Sequence, residues 1–505
     1  MIAVELTAAI DAAGTLSTFY IASGRLVTRP TDTPANVAFD ASLVDPGSIG
    51  ITAFGDGRTS GSTRLEVGEI VLANADGAYD AWLGYGFDGR AVTIRTGEAS
   101  AAYPSGWTTL LAGTVESCEA SFKQLIIRLR DRQFVFDKPA LQTLYAGTNS
   151  LPNGLEGTST DIKGKRKPKV YGLVRSMEPP LVNTSKLTYQ VCDGAVASIL
   201  VYDRGLALTA GTNYATSALL QAASPSAGTF DTCIAEGYFR LSSTPAGLIT
   251  ADVTQGANAA ARTAAQIMKA IVTDAGLGAT VSAGDVTALD TANSAVCGII
   301  VEDETTITEA LDFVAGGVGA YYAYDQTGTL RMGVLTAPSG SPVATVTRAE
   351  MLGIERTPAR DAGIPIWRVN VQHSKLGRAQ PTDLAGAVTA AERARLADEW
   401  KTTASADAAV KTQYLMAGEI TRDSALTAET DASTEAARVL AIYKVRRDVF
   451  EIPVPLDFAS TYGLWLLSLV TVTINRFGMT GGKLLRVIGI RYELAAKRAV
   501  LTLWG

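Results

Sequence analysis

The chain contains 505 residues, which at about 150 residues per domain corresponds to three or four domains. Its 44 Lys and Arg against 50 Asp and Glu give a formal net charge of −6, which excludes a protein that is basic throughout, as many nucleic-acid binders are. Hydrophobic residues make up 47% of the chain and charged residues 19%, a composition that excludes intrinsic disorder.

Neither a membrane span nor a secretory signal is indicated by the sequence. The longest apolar run, Tyr462 to Val472, is interrupted by Gly463, Ser468 and Thr471 and is shorter than the ~18–20 residues that a span requires. The N-terminal sequence MIAVELTAAIDAAG carries acidic residues and lacks a basic region and a cleavage site. These features predict a soluble, multi-domain protein that is made inside the cell.

Cysteine and histidine usage argues against metal and cofactor chemistry. The four cysteines, Cys118, Cys192, Cys233 and Cys297, are widely separated and include no CxxC pair, so we expect buried free thiols rather than zinc ligands. The single histidine, His373, ends an alternating segment, where a structural role is expected. Any Ser-His-Asp or Cys-His mechanism would depend on this one residue. We therefore expect no metal site and no cofactor, and the chain is poorly equipped for catalysis.

The first 254 residues predict β-structure in two successive domains. Alternating segments such as STFYIASG, GEIVLAN, AVTIRTG and FKQLIIRLRDRQFVF, separated by Gly, Asp and Asn, predict a barrel-like β domain over residues 1–150. A Gly-, Ser- and Asn-rich stretch from Tyr145 to Lys169 predicts a linker or surface loop. The segments VYGLV, LTYQVCD, ASILVYDRG and YFRLSS then predict the strands of a β domain over 151–254.

Helical periodicity appears in the second half of the chain. Over 255–345, an apolar face in NAAARTAAQIMKAIVTDAG, a capping box at Thr306–Glu309 and a hairpin turning at Gln326–Gly328 predict a small α+β domain. Over 346–505, strands at 347–356 and 365–372, helices at about 388–416 and 432–446, and four closing strands predict a second β domain with a helical insertion. The predicted fold class is mainly β with α+β insertions, in several domains.

A basic run in the predicted linker could in principle contact phosphate. It contains Lys163, Lys165, Arg166, Lys167 and Lys169, but no aromatic residue is interleaved with these cations. A solvated loop, or a salt-bridging contact with another chain, is the favoured interpretation. Lys165, Arg166 and Lys167 are therefore candidate interface residues.

Three other patterns were compared with known kinds of site. The segment Asn74–Asp80 partly matches a calcium loop but lacks the distal Glu, so a turn between strands is favoured. Carboxylate pairs such as Asp303 with Glu304 could serve a glycosidase, but nothing in their spacing selects one pair. Trp82, Tyr85, Phe87 and Arg90, in the segment DAWLGYGFDGR, suit interface anchors equally well as core packing, and they complete the candidate interface set.

Several long segments resemble the tail proteins of tailed phages and of phage-like gene transfer agents. Together they cover about two thirds of the chain, and residues 205–255 resemble the family least. The segments are VTRPTDTPAN, GEIVLANADGAYDAWLGYGFDGRAVTIRTG, RKPKVYGLVRSMEPPLVN, LTYQVCDGAVASILVYDRGLALT, WRVNVQ, DLAGAVTAAERARLADEWKTTASADAAVKTQYLMAGEITRDSAL, EAARVLAIYKVRRDVFEIPVP and RFGMTGGKLLRVIGIRYELAAKRAVLTLWG.

The resemblance implies a baseplate or tail-tip hub, a structural virion protein at the tail tip that is assembled in the host cytoplasm. Such hubs are usually homotrimers in which each subunit contributes two barrel-like domains, here expected within 1–150 and 346–505, with peripheral modules between them. The implied partners are a distal tail or tube protein, the tape measure protein, and tail-tip spike, fibre or receptor-binding proteins. Phage DNA would only pass through the ring, and no catalytic residue is implied.

Two alternatives stay open at this point. One is a hexameric distal tail ring protein, built from a related barrel. The other is a tail-associated cell-wall glycoside hydrolase that uses two carboxylates. The lone histidine and the absence of metal-ligand spacing argue against other kinds of cell-wall enzyme.

Overall fold

The computed structural model describes residues 1–55, 63–149, 153–357 and 364–505. Residues 150–152 of the predicted linker lie outside the described residues. The structure contains 37% strand and 18% helix, so the prediction of a mainly β, multi-domain chain with helical insertions is confirmed. Within the described ranges, no helix has the length and apolar character that crossing a membrane requires.

The first strands in chain order are β1 (Ile2–Ala9), β2 (Leu16–Ala22), β3 (Leu26–Val27), β4 (Ala38–Phe39), β5 (Leu43–Asp45), β6 (Ser48–Thr52), β7 (Arg64–Val67), β8 (Glu69–Ala73), β9 (Ala91–Thr96), β10 (Thr108–Ala120) and β11 (Gln124–Arg130). The next are β12 (Lys169–Met177), β13 (Leu181–Asn183), β14 (Thr188–Gln190), β15 (Ser198–Asp203), β16 (Leu206–Ala207), β17 (Thr209–Asn213), β18 (Thr229–Cys233), β19 (Tyr238–Leu241), β20 (Ile249–Thr254) and β21 (Gly298–Val301). The last are β22 (Ala320–Tyr324), β23 (Leu330–Val334), β24 (Ala344–Val346), β25 (Glu355–Thr357), β26 (Arg368–His373), β27 (Lys401–Ala406), β28 (Glu419–Asp423), β29 (Val449–Pro455), β30 (Leu469–Val472), β31 (Lys483–Glu493) and β32 (Arg498–Trp504).

The α-helices are α1 (Ser217–Ala222), α2 (Ala264–Asp274), α3 (Ala283–Ala292), α4 (Ile307–Gly317), α5 (Ala390–Ala397), α6 (Ala408–Gln413), α7 (Glu429–Tyr443) and α8 (Phe458–Thr461). Short 3-10 helices lie at Asp80–Gly84, Arg132–Phe136, Ala259–Arg262 and Gly278–Thr280.

The chain forms two compact units, each discontinuous in sequence. Unit 1 comprises Met1–Val135, Tyr321–Gly363 and Arg446–Gly505, and unit 2 comprises Phe136–Ala320 and Ile364–Val445. The division into four sequential domains, predicted from composition and periodicity, stays a prediction.

Two large sheets dominate unit 1. One has seven strands in the order β2-β1-β9-β10-β11-β8-β5. The other follows the path β24-β30-β31-β32-β29-β25, and β6 joins it by pairing with β31, with Ile51 opposite Ile490. The first and last parts of the sequence therefore share one sheet. Successive side chains of a strand point to opposite faces of the sheet, and this explains which residues of β11 are buried: Leu125, Ile127 and Leu129 face the core.

Unit 2 contains two five-stranded sheets and one three-stranded sheet. Their strand orders are β16-β15-β20-β12-β21, β13-β14-β19-β18-β17 and β27-β26-β28. The core between strands β12, β15 and β18–β20 includes Val174, Val201, Phe230 and Phe239. Helix α2 forms where the apolar face was predicted, and the Thr263 hydroxyl accepts a hydrogen bond from the Gln266 amide at 3.3 Å, which caps the helix.

Three local predictions were wrong. The predicted strand at 347–356 is mostly a loop, because β24 ends at Val346 and β25 begins only at Glu355. The predicted helix at 388–416 is interrupted: α5 ends at Ala397, strand β27 follows, and α6 begins at Ala408. Strand β27 forms because Lys401–Ala406 pairs along its whole length with β26, a long-range contact that overrides the helical propensity of the neighbouring alanines. Similarly, Arg132–Phe136 is a 3-10 helix rather than the end of a strand.

Candidate functional surfaces

The aromatic residues predicted as interface anchors form a cluster in unit 1. The Trp82 ring lies 4.5 Å from that of Phe19, 4.8 Å from that of Tyr79 and 5.4 Å from that of Phe87, measured between centroids. Trp82 and Phe87 are only 7% and 2% exposed. In the isolated chain these two rings therefore pack inside unit 1, and a direct contact between them and a partner stays a prediction.

Tyr85 and Arg90 lie at the edge of this cluster and are half-buried. The Tyr85 ring stacks on Phe19, with an interplanar angle of 14° and a centroid distance of 5.9 Å. The Arg90 backbone accepts a hydrogen bond from the Val115 amide at 2.9 Å, which fixes the start of β9 beside β10. Of the four predicted anchors, Tyr85 and Arg90 are the two that lie nearer to solvent.

Three exposed aliphatic residues lie on segments that neighbour each other near Trp82 and Gly86. Ile10, Leu16 and Leu83 are 38%, 56% and 53% exposed. Leu16 is close to Ile10 because it pairs with Ala9 at the end of the β1–β2 hairpin. Reciprocal backbone hydrogen bonds of 3.0 and 2.8 Å between Ala9 and Gly86 tie this end to the segment that carries Leu83. We call Ile10, Leu16 and Leu83 the apolar rim.

Sequence analysis missed the apolar rim. The signal that could have indicated it is the pair of turn-forming residues Asp11 and Gly14, which predicts an exposed turn between Ile10 and Leu16. That the Leu83 segment lies beside this turn follows from the backbone bonds between Ala9 and Gly86, which no local pattern indicates.

The Asn74–Asp80 segment is a turn held by its own side chains. The Asn74 amide donates to the Asp80 carboxylate at 2.8 Å, and the Asn74 side-chain oxygen accepts from the Tyr79 amide at 2.9 Å. The Tyr79 hydroxyl donates to Asp40, and burial followed by this hydrogen bond raises the pKa of Tyr79 to about 12. The Asn74 and Asp80 side chains therefore form hydrogen bonds within the turn, which agrees with the predicted turn between strands.

Most of the predicted basic run is neutralised within unit 2. Arg166 pairs with Glu304 at 2.7 Å, Lys167 pairs with Glu156 at 2.6 Å, and Lys169 pairs with Asp274 at 3.0 Å. Lys167 is buried, whereas Lys165 is exposed. An interface role for Lys165, Arg166 and Lys167 stays a prediction, and Lys165 is the one of the three that presents its side chain openly to solvent.

The histidine and the cysteines occupy structural positions. Both ring nitrogens of the buried His373 form hydrogen bonds with hydroxyls, Nδ1 with Ser374 at 2.9 Å and Nε2 with Thr403 at 3.0 Å, and burial lowers the pKa of the ring. The four cysteines are free thiols, and burial raises the pKa of Cys297 to about 12. In the part of the chain that the structure describes, no group of three His, Cys, Asp or Glu side chains could hold a metal ion.

Two further turns present large apolar side chains to solvent. Phe122, at the tip of the β10–β11 hairpin in unit 1, is 91% exposed. Leu415 and Met416, between α6 and β28 in unit 2, are 84% and 80% exposed. Single exposed apolar residues are common on protein surfaces, but exposure of this extent on projecting turns suits contact with another chain. Sequence analysis did not select these turns.

Comparison with known proteins gives structural neighbours only. No protein-family model matches the sequence, and no curated protein matches it. The tail protein from Neisseria meningitidis MC58 is similar, with a TM-score of 0.45 and 12% sequence identity over 100% of this chain and 96% of that protein. The 43 kDa tail protein of prophage MuSo2 from Shewanella oneidensis gives a TM-score of 0.42 and 12% identity, over 99% and 95%. A chain from the virion of a native gene transfer agent particle gives 0.42 and 16%, over 73% and 91%.

All three are tail or virion proteins. They are the kinds of protein that the sequence segments resemble. Each TM-score lies below 0.5 and each identity below 25%, so these likenesses assign no function to this chain.

Proposed function

We propose that this chain is a structural virion protein of a phage-type tail, and that it forms the hub of the baseplate or tail tip. Its work would be architectural: to join the tail tube to tip and fibre proteins and to surround the channel through which DNA leaves. The observation that carries this proposal is the apolar rim, a set of exposed aliphatic side chains on the same part of unit 1 as the segment that carries the aromatic cluster.

The apolar rim has the properties of a subunit contact. Subunit interfaces combine a dry apolar centre with rigid aromatic neighbours, because burial of apolar surface drives association and a rigid support limits the entropy lost on binding. Trp82, whose ring lies 4.5 Å from that of Phe19, is the rigid aromatic residue that directly precedes Leu83. Full burial of one leucine side chain contributes about 1.5–3 kcal/mol, so three such side chains per contact make a substantial contribution.

A ring follows if the rim of one copy contacts a different surface of the next copy. Such head-to-tail contacts close into a cyclic assembly when the rotation between copies is a simple fraction of a turn. We propose a homotrimer. The exposed Leu415 and Met416 would then serve contacts with other tail proteins, such as the tube, the tape measure protein or the tip.

The test is the copy number of the purified chain, measured by sedimentation equilibrium and by symmetry analysis of electron micrographs. We expect three copies for the natural chain and one for the double variant Leu16→Lys with Leu83→Lys. The matched control is Leu219→Lys in α1, because Leu219 is as exposed as Leu83 but lies in unit 2.

A natural chain that stays monomeric at all concentrations would contradict the ring, and six copies would indicate a distal tail ring instead. A double variant that stays trimeric would show that the rim is not the contact. A clearing zone in a cell-wall zymogram would contradict a purely structural role.

A further inference from the structure

Strand β27 forms one edge of its sheet in unit 2. The strand order is β27-β26-β28, so within the described ranges β27 has a neighbouring strand on one side only. All six residues of β27 pair with β26 in one uninterrupted register, from Lys401 opposite His373 to Ala406 opposite Arg368. Helix α7 packs on β26 and β27. We call the side of β27 that faces away from β26 the open edge.

The direction of the backbone shows which groups lie on the open edge. The Asp407 amide donates to the Trp367 carbonyl oxygen at 2.8 Å, so the backbone of Asp407 points towards the segment of β26. Backbone groups of successive strand residues point alternately to the two sides, and those of Thr402, Ala404 and Ala406 therefore point outward. These three residues are exposed, and no backbone group from another described segment bonds to their amides or carbonyls.

The sequence of β27 lacks the features that protect most edge strands. Proline, β-bulges and charged side chains discourage an edge strand from pairing with another chain. The sequence KTTASA contains no proline, and its one charged residue, Lys401, stands at the first position. The other edge strand, β28, carries Glu419, Arg422 and Asp423 among its five residues. One edge of the sheet is therefore protected by charge, and the open edge is not.

An exposed apolar turn lies at one end of the open edge. Helix α6 begins two positions after β27 ends and leads to Leu415 and Met416, which are 84% and 80% exposed. Trp367 ties both ends of this connection to the start of β26, because its carbonyl oxygen accepts from the Asp407 amide and its amide donates to the Gly418 carbonyl oxygen at 3.1 Å. The turn therefore lies at the end of the sheet where β27 finishes.

We propose that the open edge binds an extended segment of a partner protein, which adds a fourth strand to this sheet. Outward amides and carbonyls at alternate residues match the backbone of an extended polypeptide, and neither a nucleic acid nor a lipid presents that pattern. The segment would carry uncharged side chains opposite Thr402–Ala406, where the neighbouring side chains are small and neutral, and an apolar side chain that reaches Leu415 and Met416.

Strand β27 of a second copy suits the open edge less well than a separate partner. An antiparallel second copy would bring its own Trp400 to the end where Leu415 and Met416 lie. The Trp400 ring, however, packs against Phe313 of its own copy, with 6.2 Å between the centroids. This inference goes beyond the proposed structural role and does not depend on it.

The experiment is a fluorescence-anisotropy titration of the full chain with a labelled peptide of sequence IWRVNVQH. This is the sequence of residues 366–373, which pairs antiparallel with the other side of β27, and its Ile and Trp would extend past Ala406 towards the exposed turn. The variant Ala404→Pro removes an outward amide and no bond to β26, so it should weaken binding by about tenfold or more. The matched control Ala404→Thr keeps the amide and should bind as the natural chain does.

Hydrogen exchange of the natural chain, resolved to single residues, gives a second measurement that needs no variant. Without peptide, the amides of Thr402, Ala404 and Ala406 should exchange fast and those of Thr403 and Ser405 slowly, because only the latter two bond to β26. Saturating peptide should slow the three fast amides by about tenfold or more. This result would support the proposal even if Ala404→Pro does not fold.

Peptide binding that is lost in Ala404→Pro and kept in Ala404→Thr would also support the proposal. Absence of binding, or equal binding by both variants, would overturn it. So would dimers of the natural chain that dissociate in Ala404→Pro, because the open edge would then pair with a second copy. The variant Leu16→Lys with Leu83→Lys should bind the peptide unchanged, which separates failure at the open edge from failure at the apolar rim.

Discussion

Arg166 and Glu304 form a bidentate ion pair, although 138 positions separate them in the sequence. The Arg166 Nη2 donates to Glu304 Oε2 at 2.7 Å, and Nε donates to Oε1 at 3.1 Å. The third donor of the guanidinium, Nη1, contacts the Leu141 carbonyl oxygen. Arg166 therefore fastens the loop that carries the basic run to the segment that precedes α4, and its charge is already used inside unit 2.

This pair predicts a dependence of stability on pH. The hydrogen bonds from Arg166 hold the pKa of Glu304 below its ordinary value of 4.5. The pair therefore stabilises the fold fully above pH 4.5, and its contribution is lost as the pH falls through the lower pKa of the folded state. We expect Glu304→Gln to lower the melting temperature at neutral pH and the difference from the natural chain to close in acid.

Thermal unfolding of both chains between pH 3 and pH 7 would measure this difference. The control is Glu98→Gln, which removes an exposed carboxylate of unit 1, whereas Arg166 belongs to unit 2. If Glu304→Gln lowered the melting temperature by the same amount at every pH, the effect could not come from the ion pair.

The capping box of α4 predicts a second effect. The Thr306 hydroxyl accepts from the Glu309 amide at 3.1 Å, and the Glu309 carboxylate accepts from the Thr306 amide at 2.8 Å. We expect Thr306→Ala to destabilise unit 2 by about 1 kcal/mol, because a helix N-terminus loses its side-chain acceptor. Denaturant unfolding would measure this loss, and Thr306→Ser, which keeps the hydroxyl, should restore most of the stability.

The capping box also shows what the sequence could predict. Thr306 and Glu309 lie within one turn, so the start of α4 is a local property of the chain. The closing strands β29 to β32 could likewise be predicted, because β31 and β32 are short apolar segments rich in aliphatic residues, most of which are buried. For α4 and the closing strands, the signal is contained in neighbouring residues, and the predicted elements agree with the structure.

Elements that depend on distant residues could not be predicted in this way. Strand β27 pairs with β26, more than 25 positions earlier, and the pattern at Lys401–Ala406 contains no record of that partner. The ion pairs of the basic run at 163–169 could not be predicted either, because the carboxylate partners Glu156, Asp274 and Glu304 come from three separate segments.

A pair of Phe→Ala variants should separate core packing from surface contact. The Phe239 ring is fully buried, stacks on Tyr189 at 5.0 Å and meets Phe230 edge-on at 6.3 Å. We expect Phe239→Ala to lower the free energy of unfolding by about 3–5 kcal/mol, because it removes a large buried side chain and leaves a cavity. We expect Phe122→Ala, at the exposed hairpin tip, to change it by less than about 0.5 kcal/mol.

Denaturant titrations of the two variants would measure both values. A large loss for Phe122→Ala in dilute solution would mean that the hairpin tip is buried in an assembly of the purified chain. Repeating the titration under conditions in which the chain is monomeric should then remove that loss.

Replacement of glycine by alanine should have opposite effects on stability at Gly298 and at Gly284. Gly298 begins β21 and lies opposite Gly172, and a Cβ at Gly298 would fall 1.8 Å from the Leu173 carbonyl oxygen. The two backbones approach too closely for any side chain, so Gly298→Ala should destabilise unit 2 by about 3 kcal/mol or more. Gly284 lies inside α3, where a Cβ meets nothing within 4 Å, so Gly284→Ala should stabilise by about 0.5–1 kcal/mol. Thermal unfolding of the two variants would measure both signs, and a tolerated Gly298→Ala would contradict the close approach of β12 and β21.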